Sequence, residues 1–207
     1  MPSTPEHWNR VYRARGETSL TWFEADPVQS LALIRTYTRP DDAVLDVGGG
    51  ASRLVDGLLA AGYDDLSVLD MSEAALDISR ARLGAAAGKV RWIVADITRW
   101  QPQRTVALWH DRAVFHFLTR PADRASYGGA MLEALVPGGH AIIASFALDG
   151  PETCSGLPVV RYSADTLAAT LEGLAPGQFA RVESAAHDHV TPKGNRQPFQ
   201  ISVFRRN

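Results

Sequence analysis

A single cysteine, Cys154, leaves no partner for an intrachain disulfide and suits a reducing compartment, so a cytoplasmic protein is expected. No run approaches the ~18 apolar residues of a membrane span, and no membrane association is expected. The first seven residues lack the basic-then-apolar order of a secretory signal. Neither sign of charge dominates: 21 Lys and Arg face 23 Asp and Glu, for a formal net charge of −2. That balance gives no general pull toward nucleic acid, and no nucleic-acid partner is expected. No His/Cys/Asp cluster with metal-ligand spacing lies near the strand ends, so no metal is expected. Repeats, low-complexity tracts and obvious linkers are also missing, and the 207 residues are expected to form one domain.

The most informative stretch is Val44-Leu45-Asp46-Val47-Gly48-Gly49-Gly50. A short apolar run ends in an acid and three glycines, and Leu54, Val55, Leu58 and Leu59 then recur at one-face helical spacing. A strand that turns through glycine into a helix presents backbone N–H groups with no side chain in the way. Further strands are expected at 66–69, 90–94, 106–109 and 140–146, with helical patterns between them. Such alternation signals βαβ units and a parallel sheet covered on both faces. After a loop over 149–158 and a helix over 163–171, strands at 179–185 and 199–204 are expected to pair antiparallel at the sheet edge. Ahead of the core, helices are expected from Thr4-Pro5 through Tyr12 and over 27–37. Trp8, Trp22 and Phe23 either pack this opening segment onto the core or form a lid with Trp22 facing the ligand.

In a parallel sheet, ligands bind beyond the carboxyl ends of the strands. Those ends carry Asp46 to Gly50, Asp70, Asp96-Ile97 and His110-Asp111. Asp70 stands 20 residues after Gly50, where an acid can accept both hydroxyls of a ribose; otherwise it is a helix-start acid. Asp96 can accept from the exocyclic amine of an adenine with Ile97 on the ring; otherwise it caps the next turn. Arg53 stands where the third glycine of a dinucleotide fingerprint belongs, and no Gly-Lys-Ser/Thr ending makes a phosphate-binding loop.

The glycine run, Asp70, Ala95-Asp96-Ile97 and Pro137-Gly138-Gly139 before a strand resemble the class I S-adenosylmethionine-dependent methyltransferases. The opening aromatics and the closing His189, Thr191-Pro192, Gln197 and Phe199 are similar to small bacterial members and to the branch containing protein-lysine methyltransferases. The resemblance implies an α/β, Rossmann-like, seven-stranded and mostly parallel sheet with a C-terminal antiparallel β-hairpin and helices on both faces. It divides the chain into an N-terminal helical or lid segment (1–40), a cofactor-binding core (41–146) and a substrate-side loop, helix and hairpin (147–207). The implied cofactor is S-adenosyl-L-methionine, released as S-adenosyl-L-homocysteine. By position, Gly48, Gly49 and Gly50 approach its methionine part and ribose, with Asp46 the acid of that motif. Asp70 holds the ribose, Met71, Asp96 and Ile97 line the adenine, and His110 lies under the methionine part. Trp22 joins them if the opening segment is a lid.

The implied reaction is transfer of a methyl group to a small-molecule or protein nucleophile through N, S or O. Such an in-line displacement needs alignment and water exclusion first, and a base only if the acceptor enters protonated. His110, Asp111 and His116 are the candidate catalytic residues, with a packing histidine the other reading of His116 and an ion pair the other reading of Asp111-Arg112. The family's Asn/Asp-Pro-Pro-Tyr pattern for planar amino groups is missing after the fourth core strand, which disfavours nucleic-acid N-methylation. His187 and His189 share one side of a strand, expected to be an exposed face. The competing functions are an NAD-dependent dehydrogenase, which requires a sixth parallel strand, and a non-catalytic S-adenosylmethionine-binding module.

Overall fold

A computed structural model describes residues 3–207, so Met1 and Pro2 of the opening segment lie outside the described residues. Six α-helices are present: α1 (Pro5–Ala14), α2 (Val28–Tyr37), α3 (Leu54–Ala60), α4 (Glu73–Leu83), α5 (Pro121–Ala134) and α6 (Ala164–Leu174). The principal strands are β1 (Val44–Val47), β2 (Leu66–Asp70), β3 (Val90–Val94), β4 (Val106–Arg112) and β5 (Leu135–Phe146). A small hairpin, β6 (Thr153–Cys154) and β7 (Leu157–Pro158), precedes α6, and β8 (Phe179–Val190) and β9 (Arg196–Arg206) close the chain. The seven-stranded sheet has the order β3-β2-β1-β4-β5-β9-β8.

Local chemistry explains the helix starts. Thr4 accepts the His7 amide with Pro5 in the first turn, and Ser72 accepts the Ala75 amide. Ser163 and Thr166 complete a reciprocal capping box at α6. All residues of β1 and β2 are buried, as expected for parallel strands covered on both sides. Alternation along β4 sends Leu108 into one core layer with Leu31, Ile34, Leu54 and Leu58 of α2 and α3. Trp109 enters the opposite layer with Tyr127 and Met131 of α5 and Leu167 and Leu171 of α6. A third cluster, Tyr12, Leu20, Ala51 and Ala75, seats the opening segment on α4 and on the turn between β1 and α3.

Strands β1 to β5 are mutually parallel, whereas β9 runs antiparallel to both β5 and β8. The antiparallel β9 occupies the place where a dehydrogenase requires a sixth parallel strand. Several boundaries differ from the sequence expectation. β4 continues past residue 109 to Arg112, because its polar end residues pair with β5 through Arg112↔Ala144. β5 begins before Pro137-Gly138-Gly139, and the register shift between Val106 and Leu108 absorbs that turn. The 149–158 segment is not all loop: Ser155 (φ 51°) and Gly156 (φ 76°) close the β6–β7 hairpin. β8 and β9 reach residues 190 and 196, well beyond the apolar stretches, because mainchain pairing rather than burial holds the edge strand β8.

Trp109 Nε1 donates to Tyr127 Oη at 2.8 Å, and Tyr127 Oη donates to Asp111 Oδ2 at 2.7 Å. All three residues are fully buried. Tyr127→Phe leaves an indole N–H and part of a carboxylate unsatisfied in the core. A loss of ~1–3 kcal/mol is expected, read as a lower urea midpoint at unchanged m-value.

Candidate functional site

The order of strands reverses at β1, which lies between β2 and β4, and a cleft opens beyond the carboxyl ends there. One lobe of about 750 Å³, its mouth included, is walled by Val47, Leu69, Asp70, Met71, Ala95 and Ile97 from the β1–β3 side. Val114, Phe117 and Cys154 close it from the other side. A second lobe of about 580 Å³ lies under the opening segment and is lined by Trp22, Phe23, Glu24, Ser30, Asp46 and His110, among others. Tyr12, Trp22, Gly48 and Arg112 line both lobes.

The glycine turn forms the floor. Gly48 (φ 68°) and Gly50 (φ 40°) hold left-handed conformations that favour glycine. A Cβ on Gly48 would overlap Val114 Cγ2, one on Gly49 would overlap Asp46 Oδ2, and one on Gly50 would lie 2.8 Å from Asp70 Oδ2. Asp70 ends β2 with its side chain buried, Oδ1 accepting the Ser72 amide at 2.7 Å. Burial, and then the neighbouring Asp46 charge, push its carboxyl up to about 7, against backbone hydrogen bonds that favour ionisation. Met71 and Ile97 face the same lobe. Asp96 is displaced from them: it faces an adjoining groove with Thr98 and Arg120, and its Oδ1 caps Thr98 N at 2.9 Å and Oγ1 at 2.8 Å.

Parallel pairing sets Asp46 of β1 opposite His110 of β4. His110 Nδ1 meets Asp46 Oδ1 at 2.7 Å, and Nε2 meets Ser30 Oγ of α2 at 3.0 Å. Asp111 points the other way, by strand alternation. Its carboxylate accepts Tyr127 Oη and the amides of Val114 and Phe115 at 2.7–3.0 Å. Burial pushes it up to about 6 in spite of these donors. His116 is sealed against Phe146 and Phe117, with ring centroids 4.7 and 4.5 Å away, and lines neither lobe. Burial, and secondarily Arg112, lower its pKa to about 3. Of the three candidate catalytic side chains, only His110 reaches the cleft.

Asp111 and Arg112 do not form an ion pair, because adjacent strand residues face opposite sides. Arg112 instead donates to Glu24 Oε1 at 2.8 Å and to the Trp22 carbonyl at 3.1 Å, and lies 5.1 Å above the Phe199 ring. His187 and His189 do share one side of β8, but that side is not an exposed face. The opening segment covers it: His189 is buried and donates Nε2–H to the Thr21 carbonyl at 2.7 Å, with Nδ1 3.4 Å from Glu24. Burial alone would raise the Glu24 carboxyl, yet His189 and the Arg112 charge hold it below its usual value. The other end of the segment is fixed by Glu17, paired with Arg53 and Arg82 at 2.7 Å each. Cys154 is buried in the cleft wall, and burial pushes its thiol up to about 11.

Sequence reasoning did not single out Glu24, Ser30, Arg112, Val114 or Phe117 as site residues. Glu24 adjoins the Trp22-Phe23 pair and Arg112 the His110-Asp111 pair, so position offered a signal for both. Ser30 sits in an ordinary amphipathic helix and offered none.

Residues 44–139 match the family model of a methyltransferase domain. The eEF1A lysine and N-terminal methyltransferase of Danio rerio is 37% identical over 71 residues, covering 34% of this chain and 10% of that protein. The Mus musculus counterpart is 26% identical over 94 residues, 45% of this chain and 13% of that one. The chain therefore spans only about a tenth of the length of these curated relatives. Among solved structures, one described by the conversion of a disulfide bond into a thioacetal group during echinomycin biosynthesis aligns with TM-score 0.76 at 22% identity, covering 99% and 93% of the two chains. The N-methyltransferase NodS from Bradyrhizobium japonicum WM9, in complex with S-adenosyl-L-homocysteine, aligns with TM-score 0.71 at 16% identity over 99% of both chains. At these identities the structures speak for the fold. The domain match, the sheet order and the glycine-floored cleft agree with the class I S-adenosylmethionine-dependent methyltransferases that the sequence resembles. The S-adenosyl-L-homocysteine bound to NodS is consistent with S-adenosylmethionine as the cofactor.

Asp70 provides a test of the site's electrostatics. Its carboxyl titrates at about 7 in the unliganded fold and near 4 in an unfolded chain. Between these values the native state binds the extra proton, so this group's contribution to stability rises as pH falls through 7. Asp70→Asn, which carries no buried charge, should therefore be more stable than the parent at pH 8, with the gap closing by pH 5. Urea unfolding at the two pH values measures this, and a gap independent of pH would refute the assignment.

Proposed function

We propose that the whole chain acts as one methyltransferase domain, with residues 1–40 as a lid, 41–146 as the cofactor core and 147–207 as the acceptor-side wall. It transfers a methyl group to a small-molecule or protein nucleophile. The observation that carries this reading is the buried Asp70 carboxyl at the lip of an apolar lobe that meets the glycine turn at Gly48. A side chain at Gly48, Gly49 or Gly50 would press into Val114, Asp46 or Asp70, so only glycine fits the turn at these positions.

The residues present suit the cofactor. Asp70 accepts the ribose hydroxyls, and Met71, Ala95 and Ile97 pack on the adenine. Asp96 meets the adenine edge from the adjoining groove. Gly48, Gly49 and Gly50 admit the methionine part and ribose, beside Asp46 and His110, with Trp22 above. When bound, the cofactor supplies an electrophilic methyl group on a sulfonium. The chain's own contribution is to align the acceptor and exclude water, for which the twice-fastened opening segment is suited. Asp111 holds the core end of β4 through Tyr127, and His116 packs behind it; neither reaches the reacting atoms.

The relatives are named for several acceptors: the lysine and N-terminus of eEF1A, the N1 position of 1,6-didemethyltoxoflavin, and a glycopeptide nitrogen. Nitrogen recurs among them, so amines stand first in a panel that also includes thiols, hydroxyl compounds and peptides. Calorimetry with S-adenosylmethionine, S-adenosylhomocysteine and NAD should show the two sulfur ligands binding and NAD not binding. Absence of both sulfur ligands at high micromolar concentration would sink the reading. Asp70→Ala should weaken S-adenosylmethionine by ~1.5–3 kcal/mol for each charge-assisted bond lost; unchanged affinity would place the ribose elsewhere.

A further inference from the structure

Ser30, His110 and Asp46 form an ordered chain of polar contacts in the wall of the lid-side lobe. Ser30 belongs to the first turn of α2, His110 to β4 and Asp46 to β1, so three separate elements converge. All three side chains are buried, and all three line the lobe that also contains Trp22, Gly48 and Gly49. A second small chamber, walled by Ile142, Phe199 and Ile201, touches the same Ser30, His110, Glu24 and Arg112. Ser30 thus stands where both spaces meet.

The contacts have a direction. An ionised carboxylate only accepts, so the 2.7 Å contact with Asp46 requires the proton on His110 Nδ1. In the neutral ring Nε2 then carries the lone pair, and Ser30 Oγ–H donates to it across 3.0 Å. The hydroxyl oxygen keeps its lone pairs free toward the lobe. A buried histidine fixed by a carboxylate on one nitrogen and bonded to a hydroxyl on the other is arranged to take a proton through that hydroxyl.

We propose that Ser30 is the group that takes the proton of the methyl acceptor and that His110, oriented by Asp46, drives it. This rests on the methyltransferase reading and deepens it. The acceptor's proton passes to Ser30 Oγ as the acceptor's lone pair bonds to the methyl carbon and the methyl–sulfur bond breaks, its electron pair staying on sulfur as the thioether of S-adenosylhomocysteine, and the Ser30 proton passes to His110 Nε2. The ring becomes an imidazolium beside the Asp46 carboxylate and later returns its proton to solvent. The acceptor class follows: an amine, thiol or hydroxyl whose nucleophilic atom still carries a proton on entry. A tertiary amine or a thioether gains nothing from the relay.

The full chain labelled with ¹⁵N-histidine tests the first link without any acceptor. Long-range ¹H–¹⁵N spectra at pH 7.5, with His110 assigned by its loss in His110→Gln, should show a neutral ring protonated on Nδ1. An Nε2–H tautomer, or a ring still cationic at pH 9, overturns the proposal. The second link is read by S-adenosylhomocysteine release at saturating cofactor over primary amines, thiols and phenols, with a tertiary amine and a thioether as controls. Ser30→Ala should slow proton-bearing acceptors by about 100-fold or more and leave the controls within about twofold, while Ser30→Thr, which keeps the hydroxyl, restores most of the rate. Equal slowing of both acceptor types, or full activity of Ser30→Ala, overturns it. If no compound in the panel is methylated, the tautomer alone decides. Failure of the parent chain to bind S-adenosylmethionine sinks the methyltransferase reading; normal binding with the wrong tautomer sinks the relay alone.

Discussion

The parallel pairing of β1 with β4 sets Asp46 beside His110, and the cleft is built outward from that pair. The pairing fixes which side chains share a face. Asp46, His110 and Arg112 lie toward α2 and the opening segment, while Trp109 and Asp111 lie toward α5. A slip of one residue in that register would exchange the two sets, putting the Asp111–Tyr127–Trp109 hydrogen bonds into the cleft and His110 into the apolar layer beside Met131. Two buried polar clusters on opposite faces therefore hold one register, since neither cluster finds its partners in the other position. Asp46 also lies against Gly49, so the acid that orients the histidine is the same acid that limits the turn to glycine.

The opening segment depends on charges anchored in this frame. Glu17 is held by Arg53 and Arg82, and Glu24 by Arg112 with His187 and His189 nearby. Ion pairs on an open surface contribute little. These sit against ring faces instead, Arg53 over Phe23 and Arg112 over Phe199, where water is displaced and geometry is fixed. The segment is thus fastened to α3 and α4 at one end and to β4 and the β8–β9 hairpin at the other. The two anchors straddle Trp22, one of the residues that line both lobes, so releasing either one alone leaves the ring tethered from the other side.

The fold was legible because its signals are periodic and local. The strand and helix alternation, the glycine turn, the caps at Thr4, Ser72 and Ser163, and the closing strand pair each follow from residue type and spacing. Strand ends were harder, since β4, β8 and β9 run on through polar residues that mainchain pairing recruits and hydropathy does not mark. Asp70 at the end of β2, and Met71 and Ile97 shortly after strands, line the cleft where their positions had put them. Asp111 and His116 were raised for their chemistry, and it is the alternation of β4 and the depth of the core that turn them away. Ser30 and the Glu24–Arg112 pair depend on contacts between segments 80 or more residues apart, which no local pattern encodes.

The burial of Asp70 explains why these elements cohere around an open cleft. A carboxyl pushed up to about 7 is poorly solvated; the Ser72 amide and the Gly50 turn offset part of that deficit, and the apolar walls of β1 to β3 maintain it. On the proposed reading, a ligand offering two hydroxyl donors would relieve it. The same residues that leave the charge short of partners, Leu69, Val47 and Ile97, give an aromatic base an apolar surface. The acid and the apolar walls of this lobe thus come from the β1 to β3 side, while Ser30, Trp22 and His110 of the other lobe come from α2, the opening segment and β4. The two walls are set by different forces, the first by parallel strand pairing and the second by the ion pairs that hold the opening segment.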